Sequence, residues 1–274
     1  MLLKRLRTLL LLPLNHIRLR IYRLLSTTTR FPNIRYFIFG IPLVLKYSKG
    51  TVSAEADALR FLNNCGLDLP IPRIVDSFVV GQYTFTLMTR IEGDMLIDKL
   101  ATMSDEQLRV IVEDLFRVLR KLWTLQQPKE DAGKVMLSAS GHGMPSPVLL
   151  FGDSEGPFDS ILEFYVYMSR HLFDSVEEFK ELYPNASQII MSDNIVYVHA
   201  DLRSHNILVK DGRLSGIVDW ENSGWLPLHW QLHVIRRFCP STRGKFWKLL
   251  DNTKGPSGSE AAYEACKPLL RYSF

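Results

Sequence analysis

The stretch Val198–Glu221 reads VHADLRSHNILVKDGRLSGIVDWE and carries the densest group of chemically informative residues in the chain. One residue separates His199 from Asp201, and four residues separate Asp201 from Asn206. This spacing predicts a tight loop with a carboxylate at one end and an amide at the other. An apolar segment, Ile195–Val198, precedes the loop and predicts a short strand that leads into it.

A hairpin is predicted directly after Asn206. The apolar runs Ile207–Val209 and Leu214–Val218 flank an Asp-Gly pair, which favours a tight turn between antiparallel strands. Because a hairpin returns the chain on itself, we expect Asp219 to lie beside Asn206, where an amide oxygen and a carboxylate would suit Mg²⁺. Phosphoryl transfer needs such a metal and a carboxylate near the acceptor hydroxyl, a role for which Asp201 remains free.

Each of these residues, taken alone, also has an ordinary structural explanation. Asp and Asn are common in turns, and His199 could be a core histidine with internal hydrogen bonds. In this stretch, however, the residue types, their spacing and the order of strand, loop and strand all agree. The set as a whole therefore favours phosphoryl transfer over a purely structural role.

The same stretch resembles the aminoglycoside phosphotransferase and choline kinase-like family of the protein kinase-like superfamily. The likeness is carried by His-x-Asp-x-x-x-x-Asn and by Ile-Val-Asp-Trp-Glu, in which Trp220 replaces the Phe-Gly of protein kinases and favours the small-molecule branch. Met88–Gly93, Gly156-Pro157-Phe158 and Gly224–Trp230 resemble a large, mostly fungal group of members. The resemblance extends from about residue 36 to about residue 235.

The resemblance implies an α+β, bilobal protein kinase-like fold. It implies a small N-lobe with an antiparallel sheet and a helix, and a larger, mainly helical C-lobe. It also implies Asp201 as the catalytic base, Asn206 and Asp219 as Mg²⁺ ligands, and His199 as a support for the loop. Arg203 lies two residues after Asp201 and is a candidate contact to the γ-phosphate of ATP, with an exposed loop arginine as the equal alternative.

Two charged residues of the first half match the nucleotide site of the family. Lys46 ends an apolar strand and matches the lysine that binds the ATP phosphates, and Glu55 matches the helix glutamate that pairs with it. Both could instead be solvated surface charges, but a charge that follows an apolar strand favours a site. Thr86–Arg90, which includes Met88, is the predicted hinge whose backbone groups meet adenine.

Composition and periodicity divide the 274-residue chain into three regions. Residues 1–35 are predicted to form a basic N-terminal helix or extension, residues 36–89 the N-lobe, and residues 90–274 the C-lobe with the catalytic loop 198–221. Val52–Asn63 has helical spacing, and Ser104 with Gln107 predicts a capping box at the start of a long helix. With 46% hydrophobic and 23% charged residues, the composition excludes disordered and collagen-like classes.

The N-terminal region is strongly basic. No acidic residue precedes Glu55, whereas ten basic residues do: Lys4, Arg5, Arg7, Arg18, Arg20, Arg23, Arg30, Arg35, Lys46 and Lys49. Such a composition is typical of a mitochondrial presequence or of an amphipathic segment that associates with surfaces. The alternative is a basic helix around Ile17–Leu25 that packs on the small lobe. The apolar run Leu9–Leu14 is too short to cross a bilayer, so we expect no transmembrane segment.

Cysteine usage indicates a reducing compartment. Cys65, Cys239 and Cys266 are few, odd in number and widely spaced, which predicts free thiols and no disulfide framework or zinc site. We therefore expect a cytoplasmic protein, with mitochondrial targeting as the alternative. The basic N-terminus lacks a recognisable recognition module, so we expect no nucleic-acid partner. The sequence indicates no particular oligomeric state.

A glycine-rich phosphate loop is missing before Lys46. Gly40 is the only glycine in that part of the chain. The leading interpretation is an ATP-dependent phosphotransferase that acts on a hydroxyl of a small molecule, and the missing loop motivates an alternative, a catalytically weak or inactive kinase-like binding or regulatory protein. A protein kinase is disfavoured, because Asp-Trp-Glu replaces Asp-Phe-Gly and no Ala-Pro-Glu follows.

Clues to the acceptor lie in the second half of the chain. Phe151–Ile195 contains nine acidic and two basic residues, which would suit an amine-bearing acceptor but is more often a solvated helix face. Three tryptophans could surround a quaternary ammonium group, although tryptophans at such positions are more often core residues: Trp220, Trp225 and Trp230. Gln231 stands where many relatives have Glu, a difference that we expect to affect the acceptor pocket.

Overall fold

The computed structural model describes residues 2–50, 53–145, 154–169, 172–237 and 245–270. Its first ninety residues form a small lobe, built from a five-stranded antiparallel sheet and two helices. The elements of this lobe are α1 (Leu2–Leu24), β1 (Ser26–Thr28), β2 (Ile34–Phe37), β3 (Leu43–Lys49), α2 (Ala54–Asn64), β4 (Ile74–Val80) and β5 (Tyr83–Thr89).

The sheet of the small lobe has the strand order β1-β2-β3-β5-β4. It begins at Ser26, ten residues before the predicted start of the N-lobe at residue 36, because β1 pairs with β2 in the register Ser26↔Phe37. β3 lies between β2 and β5, so Lys46 is opposite Ile34 on one side and Thr86 on the other. The lysine is thereby fixed on a central strand. Helix α2 follows β3, and the predicted helix start at Val52 lies outside the described residues.

Helix α1 packs on β4 of the small sheet. Arg18 forms an ion pair of 2.5 Å with Asp76, and the hydroxyl of Tyr22 donates a hydrogen bond of 2.9 Å to the same carboxylate. Leu19 is buried in a core cluster with Phe37 and other side chains of the sheet. This is the arrangement expected of a basic helix packed on the small lobe. Among the described residues, no helix is long and apolar enough to cross a membrane.

The rest of the chain forms a larger, mainly helical lobe with three small sheets among its described residues. Its elements are β6 (Asp94–Met95), α3 (Leu96–Lys99), α4 (Asp105–Leu122), β7 (Leu137–Ser138), β8 (Met144–Pro145), β9 (Ser154–Glu155), α5 (Ile161–Met168), α6 (Val176–Leu182), α7 (Pro184–Met191), β10 (Ile195–His199), β11 (Ile207–Lys210), β12 (Arg213–Ile217), β13 (Ser223–Pro227), α8 (Leu228–Arg237), α9 (Lys245–Asn252) and α10 (Ser257–Cys266).

Local signals in the sequence account for several of these elements. The capping box at the start of α4 is confirmed, with the N–H of Gln107 donating to the hydroxyl of Ser104 and the N–H of Ser104 donating to the Gln107 side chain. The apolar stripe of α4 is buried in the main core, as its spacing predicted. Three tryptophans of the second half are core residues, no more than 2% exposed: Trp220, Trp225 and Trp230.

Two antiparallel strand pairs hold the ends of the predicted catalytic loop. β10 pairs with β13 up to His199↔Ser223, and β11 pairs with β12 from Ile207↔Ile217. The short strand β6 adds to the far side of β11. The loop between β10 and β11 is therefore anchored at both ends in separate sheets.

A buried polar network fixes the start of β10. The carboxylate of Asp193 lies 2.6 Å from Nδ1 of His229 on α8 and accepts a hydrogen bond of 2.6 Å from Ser259 on α10. His229 Nε2 lies 2.6 Å from the hydroxyl of Tyr165 on α5. Burial raises the pKa of Asp193, but the hydrogen bonds from His229 and Ser259 outweigh it and hold the pKa below its usual value. The network thus ties three helices to the residue that precedes β10.

We expect the substitution Asp193→Ala to lower the free energy of unfolding by about 3 kcal/mol, because it leaves His229 and Ser259 buried without their shared acceptor. Urea unfolding at neutral pH measures the effect. The exposed Asp68 offers a matched control, since Asp68→Ala should change stability by less than about 0.5 kcal/mol. Equal stability of the two variants would contradict the structural role of the network.

Candidate active site

Lys46 lies at the centre of a cluster of three carboxylates. Its ammonium group is 2.5 Å from Asp219 Oδ1, 3.1 Å from Glu55 Oε2 and 3.1 Å from Glu221 Oε2. Lys46 and Glu55 belong to the small lobe, whereas Asp219 and Glu221 follow β12 of the large lobe. The structure therefore brings together three of the predicted site residues, Lys46, Glu55 and Asp219, and adds a fourth.

The chain conformation after β12 directs both acidic side chains at Lys46. Asp219 adopts left-handed backbone angles (φ 67°, ψ 62°), a conformation that Asp tolerates better than most residues. A 3₁₀ turn over Trp220–Asn222 follows. The indole N–H of Trp220 donates to the carbonyl of Ile217, which keeps this ring in the core between the two carboxylates.

Burial and mutual repulsion shift the pKa values in the cluster. Desolvation by burial raises the pKa of Glu55 to about 7, and repulsion from Asp219 and Glu221 acts in the same direction against the attraction of Lys46. Burial disfavours the charged form of Lys46, but the three carboxylates outweigh it and raise the lysine pKa above its ordinary value. Lys46 is therefore held as a cation.

The cluster has the charge and the ligand atoms that a divalent cation requires. Three carboxylates face one ammonium group, and their oxygen atoms lie within 4.8 Å of one another. The side chains of Asp219 and Glu221 are 31% and 36% exposed, whereas those of Lys46 and Glu55 are 9% and 6% exposed. Solvent therefore reaches the carboxylates of Asp219 and Glu221, whereas that of Glu55 is buried. Hard oxygen ligands with excess negative charge fit Mg²⁺.

His199 connects the loop to the end of β12. Its ring is buried, with Nε2 3.0 Å from the carbonyl oxygen of Val218 and Nδ1 accepting a 3.3 Å hydrogen bond from the N–H of Asp201. These partners assign a neutral ring that carries its proton on Nε2. Burial lowers the pKa of His199, in agreement with that assignment. The histidine therefore holds the backbone of Asp201 in place.

Asn206 and Arg203 both contact Asp201. The amide nitrogen of Asn206 donates to the carbonyl of Asp201 at 2.7 Å and lies 3.3 Å from its carboxylate. Arg203 Nε is 2.7 Å from the other carboxylate oxygen, Oδ1. The N–H of Val218 donates to the carbonyl of Asn206 at 3.0 Å, so Asp219 follows directly after a residue bonded to Asn206. The hairpin thus returns the chain to Asn206.

Met88 and Arg90 of the predicted hinge have partners outside this cluster. Met88 is a buried residue of β5 that pairs with Val44 on one side and Ile74 on the other. The N–H of Arg90 donates to the carbonyl of Pro42, and its guanidinium stacks over the ring of Tyr36 at 4.1 Å. Contacts from Met88 and Arg90 to adenine stay a prediction.

The turn between β1 and β2, residues 29–33, contains no glycine. Thr29 closes it, because its N–H donates to Ile34 and its hydroxyl accepts from the N–H of Phe31. Arg30 of this turn forms an exposed ion pair of 2.6 Å with Asp98 on α3. The N–H of Ile97, beside Asp98, donates to the carbonyl of Ser204 in the predicted catalytic loop. The turn is therefore linked to the large lobe.

Two residues around the site were not assigned a correct role from the sequence. Glu221 lies two positions after Asp219, and that short spacing was the available signal. Gln231, which we expected near the acceptor pocket, lies fully buried on α8 under the catalytic loop. Its side-chain oxygen accepts from the N–H of His199 at 2.9 Å and its nitrogen donates to the carbonyl of His199 at 3.2 Å. Gln231 thereby provides hydrogen-bond partners for both backbone groups of His199, the last residue of β10.

Three acidic residues in the described part of Phe151–Ile195 have local structural partners. Glu163 and Glu178 accept hydrogen bonds from backbone N–H groups that precede their own helices, and Asp193 belongs to the buried network. Asp153 and Arg170 of this segment lie outside the described residues, and so does Cys239. Cys65 and Cys266 form no disulfide among the described residues.

Comparison with known families gives one match. The sequence model described as APH, the phosphotransferase enzyme family, matches residues 33–257. These residues include the Lys46 cluster, the catalytic loop and α8. No curated protein sequence matches the chain.

Solved structures of aminoglycoside phosphotransferases share the fold. A thermostable mutant of APH(4)-Ia, in a ternary complex with ADP and hygromycin B, has 16% sequence identity and a TM-score of 0.58, and the match covers 89% of this chain and 83% of that chain. ADP-bound APH(2″)-Ib has 16% identity and a TM-score of 0.51 over 88% and 80% of the chains. The streptomycin–ATP complex of APH(2″)-IIa has 15% identity and the same score and coverage. The bilobal α+β fold is confirmed.

We expect the substitution Gln231→Leu to destabilise the protein by about 2 kcal/mol, because it leaves the N–H and the carbonyl of His199 buried without partners. Urea unfolding measures the loss, and hydrogen exchange of the His199 amide should become faster. The exposed Gln126 provides the control, since Gln126→Leu removes only a surface hydrogen bond of 3.4 Å. Unchanged exchange at His199 would show that Gln231 does not hold β10.

Proposed function

The chain belongs to the phosphotransferase enzyme family, and from this premise we propose that it transfers the γ-phosphate of ATP to a hydroxyl group of a small molecule. The observation that carries the proposal is the contact of Lys46 with Asp219 and Glu221, which joins the two lobes at a cluster of negative charge. Such a cluster matches the need of phosphoryl transfer for a cation and a metal at the phosphates.

In the proposed site, Lys46 holds the phosphates and Glu55 keeps its ammonium group in position. Asp219 and Asn206 are the proposed Mg²⁺ ligands, and Glu221 is a further candidate because its carboxylate lies in the same cluster. Bound Mg²⁺ would neutralise the charge that develops on the phosphates. The cation would also relieve the repulsion between the carboxylates around Lys46.

Asp201 is the proposed base. It would orient the acceptor hydroxyl and take its proton, while His199 and Asn206 hold its backbone and side chain. Arg203 supplies a positive charge directly beside Asp201, at 2.7 Å from its carboxylate. We propose that Arg203 exchanges this carboxylate for the γ-phosphate when the nucleotide is bound, since both partners are anions that a guanidinium binds well.

For the acceptor we propose only the reacting group, a hydroxyl. The solved neighbours are complexes with hygromycin B and streptomycin, and those ligands belong to those proteins. An amine-bearing acceptor for this chain stays a prediction. The described carboxylates Glu163 and Glu178 give it little support, because they accept hydrogen bonds at helix starts.

A kinase-like binding protein without catalysis is the second candidate. It is favoured by the turn at residues 29–33, which has no glycine and is closed by the ion pair of Arg30 with Asp98. Such a protein would bind Mg·ATP without transferring phosphate. Both candidates would therefore bind Mg·ATP, but only the enzyme would transfer phosphate.

We expect Mg·ATP to raise the melting temperature of the protein, because a ligand at about 100 times its Kd stabilises the folded state by about 2.7 kcal/mol. The substitution Asp219→Asn should remove the part of this rise that depends on Mg²⁺. Asp211→Asn is a matched control, since Asp211 is exposed and has the same left-handed backbone conformation. The absence of any shift with wild-type protein would contradict both candidates.

Transfer itself is tested with labelled ATP and a mixture of small-molecule metabolites. We expect wild-type protein to label at least one hydroxyl compound, and Asp201→Asn to lower kcat by roughly 10²–10⁴-fold, because general base catalysis is lost. The affinity for Mg·ATP should stay within about threefold of the wild-type value. If wild type binds Mg·ATP but labels no compound, the binding-protein candidate replaces the enzyme.

A further inference from the structure

The N-terminal helix exposes an apolar surface that the proposed reaction does not use. Leu14, Ile17 and Ile21 of α1 are 47–54% exposed, and Leu24 is 78% exposed. Their spacing of three or four residues places them along one side of the helix, which we call the outer face. In the sequence, leucines at positions 10, 6 and 3 continue the same spacing.

The opposite side of α1 is fixed to the small sheet. Asn15 donates to the carbonyl of Val79, Arg18 pairs with Asp76, and Leu19 is buried in the core of the lobe. The helix therefore cannot turn its outer face inward without breaking these contacts. The outer face is held toward the outside by the fold.

An exposed aromatic residue extends the outer face. Phe39, in the turn between β2 and β3, is 84% exposed. The N–H of Ile38 donates to the carbonyl of Leu25, which continues the β1–β2 pairing by one residue. Leu24 precedes Leu25 and Phe39 follows Ile38, so these two highly exposed residues flank this hydrogen bond. Exposed large apolar side chains concentrated in one part of a protein surface mark a site of interaction.

The charge around the outer face identifies its partner. Helix α1 contains six basic and no acidic residues, of which Arg18 is paired with Asp76 of the sheet. Arg20 and Arg23 of α1 are both exposed. A second copy of this basic region would repel the first, whereas an anionic surface would attract it. Phospholipid bilayers offer that charge together with an apolar interior beneath it.

We propose that the outer face of α1, together with Phe39, binds the surface of membranes that contain anionic phospholipids. The helix lies in the plane of the interface, with Ile17, Ile21 and Leu24 among the acyl chains and its arginines at the headgroups. Both contributions are needed, because apolar burial and charge attraction each give only part of the binding free energy. The phosphotransferase would then work at a membrane surface.

The test is flotation of the full-length protein with lipid vesicles. We expect binding to vesicles of phosphatidylcholine with phosphatidylserine, little binding to phosphatidylcholine alone, and a decrease with added salt. The double substitution Ile17→Ser with Ile21→Ser should lower the partition coefficient roughly tenfold or more. Arg20→Gln with Arg23→Gln should lower it about 25-fold, since each arginine near the surface contributes a factor of about five.

A matched control uses exposed apolar residues of the large lobe. Leu182 and Met191 are 56% and 55% exposed, and Leu182→Ser with Met191→Ser should leave vesicle binding unchanged. Thermal melting verifies that each variant is folded. The proposal is overturned if neutral and anionic vesicles bind equally, or if the outer-face variant binds as wild type does. It is also overturned if the outer face instead joins two copies, seen as a dimer that Ile17→Ser with Ile21→Ser converts to a monomer.

Discussion

The ammonium group of Lys46 joins the two lobes through ion pairs. A buried charge is stable only with partners, and this one has Glu55 from its own lobe and two carboxylates from the other, Asp219 and Glu221. Lys46 and Asp219 are separated by 173 residues in the sequence. Through Lys46, the charged side chains of β3, of α2 and of the turn after β12 form one ion-pair cluster.

This ion-pair cluster contains three carboxylates and one ammonium group, so Lys46 neutralises only part of the negative charge. Burial raises the pKa of Glu55 toward neutrality, the excess negative charge adds to that rise, and the carboxylates stabilise the charged form of Lys46. A structural ion pair would be satisfied with one carboxylate for each ammonium group. Two further carboxylates cost stability in the absence of a cation, and such a cost is commonly found at functional sites.

Much of the site was predictable because its residues are close in sequence. The spacing of His199, Asp201 and Asn206 predicted the loop, and the hairpin that follows returns Asp219 to the end of that loop. Lys46 and Glu55 are far from the loop in sequence, yet an apolar strand and a helical pattern indicated their elements, and the family resemblance suggested their pairing. The roles of Asp201 in catalysis and of Asn206 and Asp219 toward Mg²⁺ stay predictions.

Other features depend on contacts that no local pattern specifies. The sheet begins at Ser26 because the three residues of β1 pair with β2. A strand of three residues is too short to show an alternating apolar pattern in the sequence. Glu221 joins the Lys46 cluster through a 3₁₀ turn that starts from a left-handed Asp219. Gln231 meets His199 across 32 positions of sequence, so only the packing of α8 against β10 reveals its role.

Helix α8 holds the strand β10 at both of its ends. His229 is bonded to Asp193 just before the strand, and two positions later Gln231 is bonded to His199 at its last residue. With both ends fixed to one helix, β10 can neither slide nor tilt separately from α8. Asp201 follows the end of β10 by two residues, so α8 also fixes the position of Asp201.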